Sequence, residues 1–278
     1  MTTSPRKVFN DGNEIPQLGY GVWQVENDVA EEVVGLALDA GFRHVDTAQI
    51  YGNEAGVGAA LAKSDIDERE IFVTTKVWNS EQGTEKAPAS FEESMKKLGL
   101  DKPLDLLLIH WAKPSQNLYV ETWKALIELQ KQGKVKSIGV SNFPEEQLRE
   151  IIKETGVTPA IHQIELHPYF NQQALRDVHQ ELGIVTEAWS PLGQGGDILS
   201  DPVITEIAEK HEVTPAQVVI AWHLAIGNVV IPKSVTPDRI IENFNALEVQ
   251  LDPEEVKQIS ALSKDDGRIG PDPAECDF

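Results

Sequence analysis

Asp46, Tyr51, Lys76 and His110 are the residues of this chain whose types could together move a proton. Asp46 closes the run Arg43-His44-Val45-Asp46, and Tyr51 follows in the loop Gln49 to Glu54. Lys76 ends the β-branched run from Ile71, and His110 ends the apolar run from Leu104. A carboxylate, an ammonium, a phenol and an imidazole can hand a proton to a carbonyl oxygen as hydride arrives at its carbon. A free phenol has a pKa of about 10, so it is a reluctant acid at neutral pH. Lys76 is expected to favour the phenolate and so bring that value down, with Asp46 pairing the ammonium and keeping it charged. His110 would orient the carbonyl and donate or relay a hydrogen bond. Singly, each has a structural reading: a helix cap, a half-buried aromatic, a surface charge at a strand end, a satisfied core imidazole. Their common position at strand ends is what favours chemistry.

That position depends on the elements around them. After a hairpin signal at Val8-Phe9-Asn10-Asp11-Gly12-Asn13, β-rich runs begin near Gln17, Arg43, Ile71, Leu104, Val135, Ala160, Ile184 and Asn228. Helical periodicity fills the gaps, as at Val29 to Ala40, Phe91 to Leu98, Val120 to Lys131 and Leu175 to Leu182. Strands alternating with helices imply a parallel sheet, and this many units imply a closed (β/α)8 TIM barrel carrying an N-terminal β-hairpin. Gly41, Gly133 and Gly183 fall between a helix and the next strand, where helix-terminating glycines belong. No linker or low-complexity segment interrupts the rhythm, so residues 1–278 read as one barrel domain. A barrel of this class gathers its active site at the carboxyl ends of the strands. Besides the four residues, those ends carry Ser141-Asn142, Gln163-Ile164-Glu165, Trp189-Ser190-Pro191 and Pro232-Lys233-Ser234.

The 278 residues suit such a barrel, which commonly takes about 250. Forty-five acidic residues against 24 basic ones give a net charge of −21, a field that repels nucleic acid and anionic membrane surfaces. An anionic cofactor would therefore need a local positive site. With no apolar run long enough to span a bilayer and no apolar core in Met1 to Lys7, a cytoplasmic protein is expected. Cys276 is the single cysteine, so no intrachain disulfide can form, in keeping with a reducing compartment. His162, Glu165 and His167 lack metalloprotease spacing, and no metal is expected.

Three spaced stretches carry a family resemblance. Gly41-Phe42-Arg43-His44-Val45-Asp46-Thr47-Ala48 with Tyr51-Gly52-Asn53-Glu54 and Gly58 resembles the first signature of the aldo-keto reductases. Lys136 to Phe143 resembles the second, and Ile231-Pro232-Lys233-Ser234 with Arg239, Glu242 and Asn243 the third. The likeness runs from the hairpin to about Leu262, and among members it looks most like the bacterial 2,5-diketo-D-gluconate reductases. It implies a monomeric or weakly associating barrel that uses NADPH without a Rossmann fold, with Tyr51 as acid among Asp46, Lys76 and His110. It further implies that Ser141, Asn142 and Gln163 hold the nicotinamide carboxamide and that Trp189 stacks on the ring. Ser190 and the loop Leu192-Gly193-Gln194-Gly195-Gly196 would cover the pyrophosphate, although glycine turns alone are a weak phosphate signal. Lys233, Ser234, Val235 and Arg239 would hold the 2′-phosphate, and Glu242 and Asn243 the adenine. These supply the positive site.

The substrate side is expected to be walled by Trp23, Trp78 and Trp111, with the tail after Ser263 too short to build a long apolar trough. A wide mouth of that kind suits small aldehydes, dicarbonyls and keto-sugar acids. Two departures stand out: Ala112 where the family usually has proline, expected to alter the mouth, and Thr236 where an arginine is frequent, expected to loosen the NADPH preference. A cofactor-binding sensor or regulatory subunit on the same fold is the alternative function. A barrel aldolase or isomerase with Lys76 as a Schiff-base amine is a third.

Overall fold

Phe9 and Ile15, large apolar residues of the N-terminal hairpin, are buried, although Arg6, Val8 and Glu14 beside them are exposed. In this computed structural model, which describes residues 3–276 and 278, β1 (Arg6–Val8) and β2 (Glu14–Pro16) pair antiparallel around the turn that the sequence marks. Asn13 donates from its side chain to Lys136 O and Ser137 Oγ, and Asn10 to Pro159 O, so the turn is tied to the amino ends of later strands.

Eight parallel strands follow: β3 (Tyr20–Gly21), β4 (His44–Asp46), β5 (Phe72–Val77), β6 (Leu104–Ile109), β7 (Val135–Ser141), β8 (Ile161–Glu165), β9 (Val185–Trp189) and β10 (Val229–Val230). Each pairs with the next in sequence order. The ring closes where Leu18 bridges Val230 in parallel, with Gly19 N donating to Val230 O at 2.9 Å and Gly21 N to Pro232 O at 3.2 Å. The closing strands are the shortest, and the first is displaced from the Gln17 start that β-propensity suggests to Tyr20.

The helices α1 (Asn27–Ala40), α2 (Glu54–Lys63), α3 (Lys86–Leu98), α4 (Tyr119–Lys131), α5 (Glu145–Thr155) and α6 (Gln173–Leu182) form the crossovers as far as β9. Two helices, α7 (Pro202–His211) and α8 (Pro215–Ala225), separate β9 from β10, and α9 (Pro237–Asn245) and α10 (Pro253–Ser260) follow the ring. The helix foreseen at Phe91 begins five residues earlier at Lys86, because its first turn is the small-residue stretch Ala87-Pro88-Ala89-Ser90, which carries no large apolar signal. Gly41 ends α1 at φ 120°, and its N–H returns to Ala37 O and Leu38 O, the glycine stop expected there.

Strand alternation divides the interior from the helical layer. On β6, Leu106 and Leu108 join Phe9, Ile15, Phe72, Ile161 and Val229 inside the ring, whereas Leu107 and Ile109 pack outward with the helices. By the same parity Asp46 and His44, Lys76 and Thr74, Gln163, and Glu187 face inward. The lower interior is thus apolar and plugged by the hairpin, and the upper interior is polar.

Candidate active site

Lys76 is fully buried in the middle of this polar layer and would be costly there without partners. Its Nζ lies 2.6 Å from Asp46 Oδ1, 2.9 Å from Thr47 O and 3.4 Å from the Tyr51 hydroxyl. Register explains the pairing: Asp46 of β4 is level with Thr74 of β5, so Lys76 one residue-pair higher reaches back across to it. Burial works against the ammonium, but the Asp46 charge and the phenol outweigh it, and the Lys76 pKa is raised above its ordinary value. A lysine so held is a poor Schiff-base amine, which needs the neutral form.

Tyr51 follows β4 in a single 3₁₀ turn, Gln49–Tyr51, that ends at Gly52 in the left-handed region at φ 69°. Its pKa is raised: burial is the larger effect, and the Lys76 charge only partly opposes it. This corrects the expectation that Lys76 would bring the phenol below its free value. The lysine instead limits the rise.

His110 sits one residue beyond β6, its ring 5.7 Å from that of Tyr51 and 5.1 Å from that of Trp78, both edge-on. Burial and then the Lys76 charge hold it well below the usual histidine range, so the ring is neutral. Its Nδ1 is buried without a partner. A neutral imidazole beside a phenol and a buried ammonium can orient a carbonyl oxygen without adding charge.

Three of the four, Asp46, Tyr51 and His110, line a cavity of about 480 Å³ together with Asn142, Gln163, Trp189, Ser190, Leu192, Gln194 and Lys233, while Lys76 is buried behind them. Trp189 ends β9 and is fixed by its indole N–H, which donates to Asn142 Oδ1 at 2.8 Å. Asn142, in the left-handed region at φ 53°, spends its own side-chain donors on His110 O and Ser141 Oγ. Gln163 donates to Asp46 Oδ2 and Glu187 Oε2, each at 2.9 Å, which leaves its carbonyl oxygen as the free acceptor at the cavity. An acceptor beside a fixed aromatic plane fits a nicotinamide carboxamide. Gly193 and Gly195, at φ 59° and 76°, let the loop after Pro191 turn tightly over the cavity edge. Ser234, Val235 and Arg239 lie past Lys233 in the turn into α9 and are not part of the cavity lining, and neither are Glu242 and Asn243. Arg239 is exposed, Glu242 accepts from Thr214 Oγ1 at 2.6 Å, and Asn243 is buried. The sequence-derived residues therefore fall into a central group that lines the cavity, Lys233 included, and an outer one that carries Arg239.

The substrate wall holds a second correction. Trp23 is 43% exposed and Trp78 and Trp111 line the cavity as expected, but the tail contributes as well. Ile269, Gly270, Pro271 and Phe278 all line it. Phe278 lies parallel to Trp78 at 6.0 Å and edge-on to Trp111 at 5.2 Å, and Asn79 Nδ2 donates to Phe278 O at 2.8 Å. The mouth is narrower and more apolar than three tryptophans make it. Ala112 is fully buried in the hydrophobic core and does not itself line the cavity, although it follows Trp111, which does. Thr236 is exposed at the N-cap of α9.

Two side chains missed by the sequence reading, Glu187 and His44, and one it placed only at a strand end, Glu165, complete the site. Glu187 and His44 face inward beneath Asp46, on strand positions whose parity with Trp189 and Asp46 was the available signal. Glu165, at the end of β8, accepts from the backbone N–H groups of Ile269 at 2.6 Å and Gly270 at 2.8 Å and so clasps the tail. Among the described residues His44, Asp46 and Glu187 are the one group close enough to share a cation, yet the Lys76 ammonium and the Gln163 amide already occupy both Asp46 oxygens and one of Glu187.

A closed parallel ring thus gathers a buried lysine–aspartate pair, a tyrosine and a neutral histidine at its carboxyl end, groups of the kinds that can carry a proton. Residues 17–264 match the model of the aldo/keto reductase family, and the chain belongs to that family. It is 53% identical over 275 residues, 99% of each chain, to an aldo-keto reductase of Mycolicibacterium smegmatis. It is 49% identical over 266 residues, 95% of each chain, to methylglyoxal reductase DkgA of Escherichia coli. The crystal structure of a mutant of Gox0644 in complex with NADPH superimposes with a TM-score of 0.95 at 50% identity, with all of both chains covered.

Proposed function

We propose that the chain is an NADPH-dependent oxidoreductase that reduces small activated aldehydes and ketones to alcohols, with Tyr51 as proton donor. The observation that carries this reading is the Tyr51 hydroxyl 3.4 Å from a buried Lys76 ammonium, itself 2.6 Å from Asp46, on the cavity that His110 shares. When bound, the dinucleotide supplies the hydride that adds to the carbonyl carbon. Trp189 gives the nicotinamide a flat face, the free carbonyl oxygen of Gln163 accepts from its carboxamide, and Ser141, Asn142 and Ser190 border it. Lys233 and Arg239, with Ser234 and Val235, receive the 2′-phosphate, and Glu242 and Asn243 the adenine. His110 orients the carbonyl oxygen toward the phenol. Tyr51 gives up its proton to that oxygen while Lys76 stabilises the phenolate left behind, and Asp46 holds Lys76 in place.

Two relatives support the cofactor and the substrate class: one was crystallised with NADPH, and another carries the name methylglyoxal reductase. A cavity of about 480 Å³ narrowed by Phe278 favours methylglyoxal-sized dicarbonyls and keto-sugar acids over steroid ketones. The test is NADPH oxidation with methylglyoxal by the native chain and by Tyr51→Phe. The variant should lose at least ~100-fold in turnover and keep NADPH binding. Retention of more than half the turnover would remove Tyr51 from the mechanism.

A further inference from the structure

Glu187 has no part in the roles given above, yet it lies directly beneath them. In register on adjacent strands, it stands beside Gln163, whose amide donates one hydrogen bond to Glu187 Oε2 and another to Asp46 Oδ2. Two carboxyl groups therefore share one amide at the floor of the cavity that Asp46 and Gln163 line: Glu187 and Lys76 are fully buried, and Asp46 is 2% exposed. Lys76 bonds Asp46 and not Glu187. The second oxygen of Glu187, Oε1, is buried with no hydrogen-bond partner. His44 Nε2 lies 3.8 Å from it, and that ring already meets Thr74 Oγ1 at 3.2 Å.

The charges facing Glu187 are few. Asp46 and His44 face it from β4 and Lys76 from β5; Gln163 on β8 is neutral, and its β10 neighbour is Val229. His44 is no countercharge, because burial and the Lys76 ammonium hold its pKa near 3. An ionised carboxylate with an unserved oxygen in this setting is unfavourable, whereas a carboxylic acid is tolerated there. We propose that Glu187 is a positioning residue for proton transfer: it carries a proton at neutral pH, and once ionised in mild alkali its charge holds Tyr51 in the acid form. The inference rests on the reading of Tyr51 as the proton donor.

Burial and then the Asp46 charge push Glu187 well above the usual carboxylate range. Its ionised form raises both Tyr51 and Lys76, so the alkaline limb of carbonyl reduction, where the phenol is lost, is placed higher than the tetrad alone would put it. In Glu187→Gln, which keeps an acceptor for Gln163 and removes the ionisation, the limb of kcat for methylglyoxal reduction should move to lower pH by about half a unit or more. A structural role would instead scale kcat by one factor at every pH. Infrared spectroscopy of the native protein gives a second readout independent of any variant. A protonated carboxyl band should be present at pH 7, where ordinary carboxyls are ionised, and should fade toward about pH 9, as a buried glutamic acid does. An unmoved limb in Glu187→Gln, or no such band in the native protein, overturns the proposal. Activity surviving in Tyr51→Phe would instead overturn the proton-donor reading, so the two failures are distinguishable.

Discussion

At the carboxyl end of the strands the ring encloses Asp46, Lys76, His110, Gln163 and Glu187; at the amino end it encloses Phe9, Ile15, Phe72, Leu106 and Leu108. The same strands line both. Inward positions two residues apart pass from apolar to polar, as Phe72, Thr74 and Lys76 do along β5. At the lower end, burial of apolar surface stabilises the barrel directly. At the upper end, burial is unfavourable for each charged group and becomes tolerable only through mutual pairing, which is also what shifts their pKa values. One end holds the ring together, and the other uses the resulting rigidity.

The largest effect should come from breaking the upper pairing. Lys76→Met leaves Asp46 buried without its cation and should cost ~3–5 kcal/mol of stability, besides abolishing turnover. Chemical denaturation and steady-state kinetics read both losses; a stable, active variant would mean that the upper end does not depend on the pair. Phe9→Ala is the counterpart below. It should cost a similar ~3–5 kcal/mol while kcat per folded molecule stays within about twofold, because no group of the site touches it. A large fall in kcat there would show that the two ends are not separable.

Arg239→Ala sharpens the contrast at the outer edge of the upper end. The variant should weaken NADPH by roughly 10- to 150-fold and NADH far less, with the difference shrinking as salt rises. Equal losses in fluorescence titration of the two cofactors would take Arg239 out of 2′-phosphate recognition.

Acid distinguishes the ends more gently. Burial holds His44 inside the ring, and His179 and His223 outside it, near pKa 3, against about 6.5 when unfolded. With folded values depressed, the unfolded chain binds more protons, so stability is full above about pH 6.5 and falls as pH drops toward 3. Urea midpoints measured from pH 7 to 4 should decline steadily. A flat profile would mean that these rings do not stay neutral in the folded protein.

Much of the upper end was legible beforehand. The tetrad residues stand at the ends of recognisable β-runs, and strand ends are where this architecture collects reactive groups. Glu187 was not legible, because Val185-Thr186-Glu187-Ala188-Trp189 reads as a strand with one polar interruption, and only the register shows that it meets Gln163. Phe278 and Ile269 were missed for a different reason: a short tail carries no periodicity, and its return over the cavity is decided by long-range contacts. The sense of the Tyr51 shift was also beyond the sequence, since it depends on burial outweighing a neighbouring charge.

The clasp at the end of β8 bears on how the substrate range of this barrel could be redesigned. Glu165 takes the N–H groups of Ile269 and Gly270, and a methyl group at position 270 would come within 2.5 Å of the Trp189 ring and 2.8 Å of Glu165 Oε2. The tail is therefore held through its backbone at two places, by Glu165 at Ile269 and Gly270 and by Asn79 at Phe278. A mutational library should tolerate broad variation at the exposed Ile269 side chain, at Pro271 and at Phe278, and few changes at Glu165 or Gly270. Variation confined to those free positions could retune which carbonyls enter while leaving the aromatic platform of Trp189 where it is.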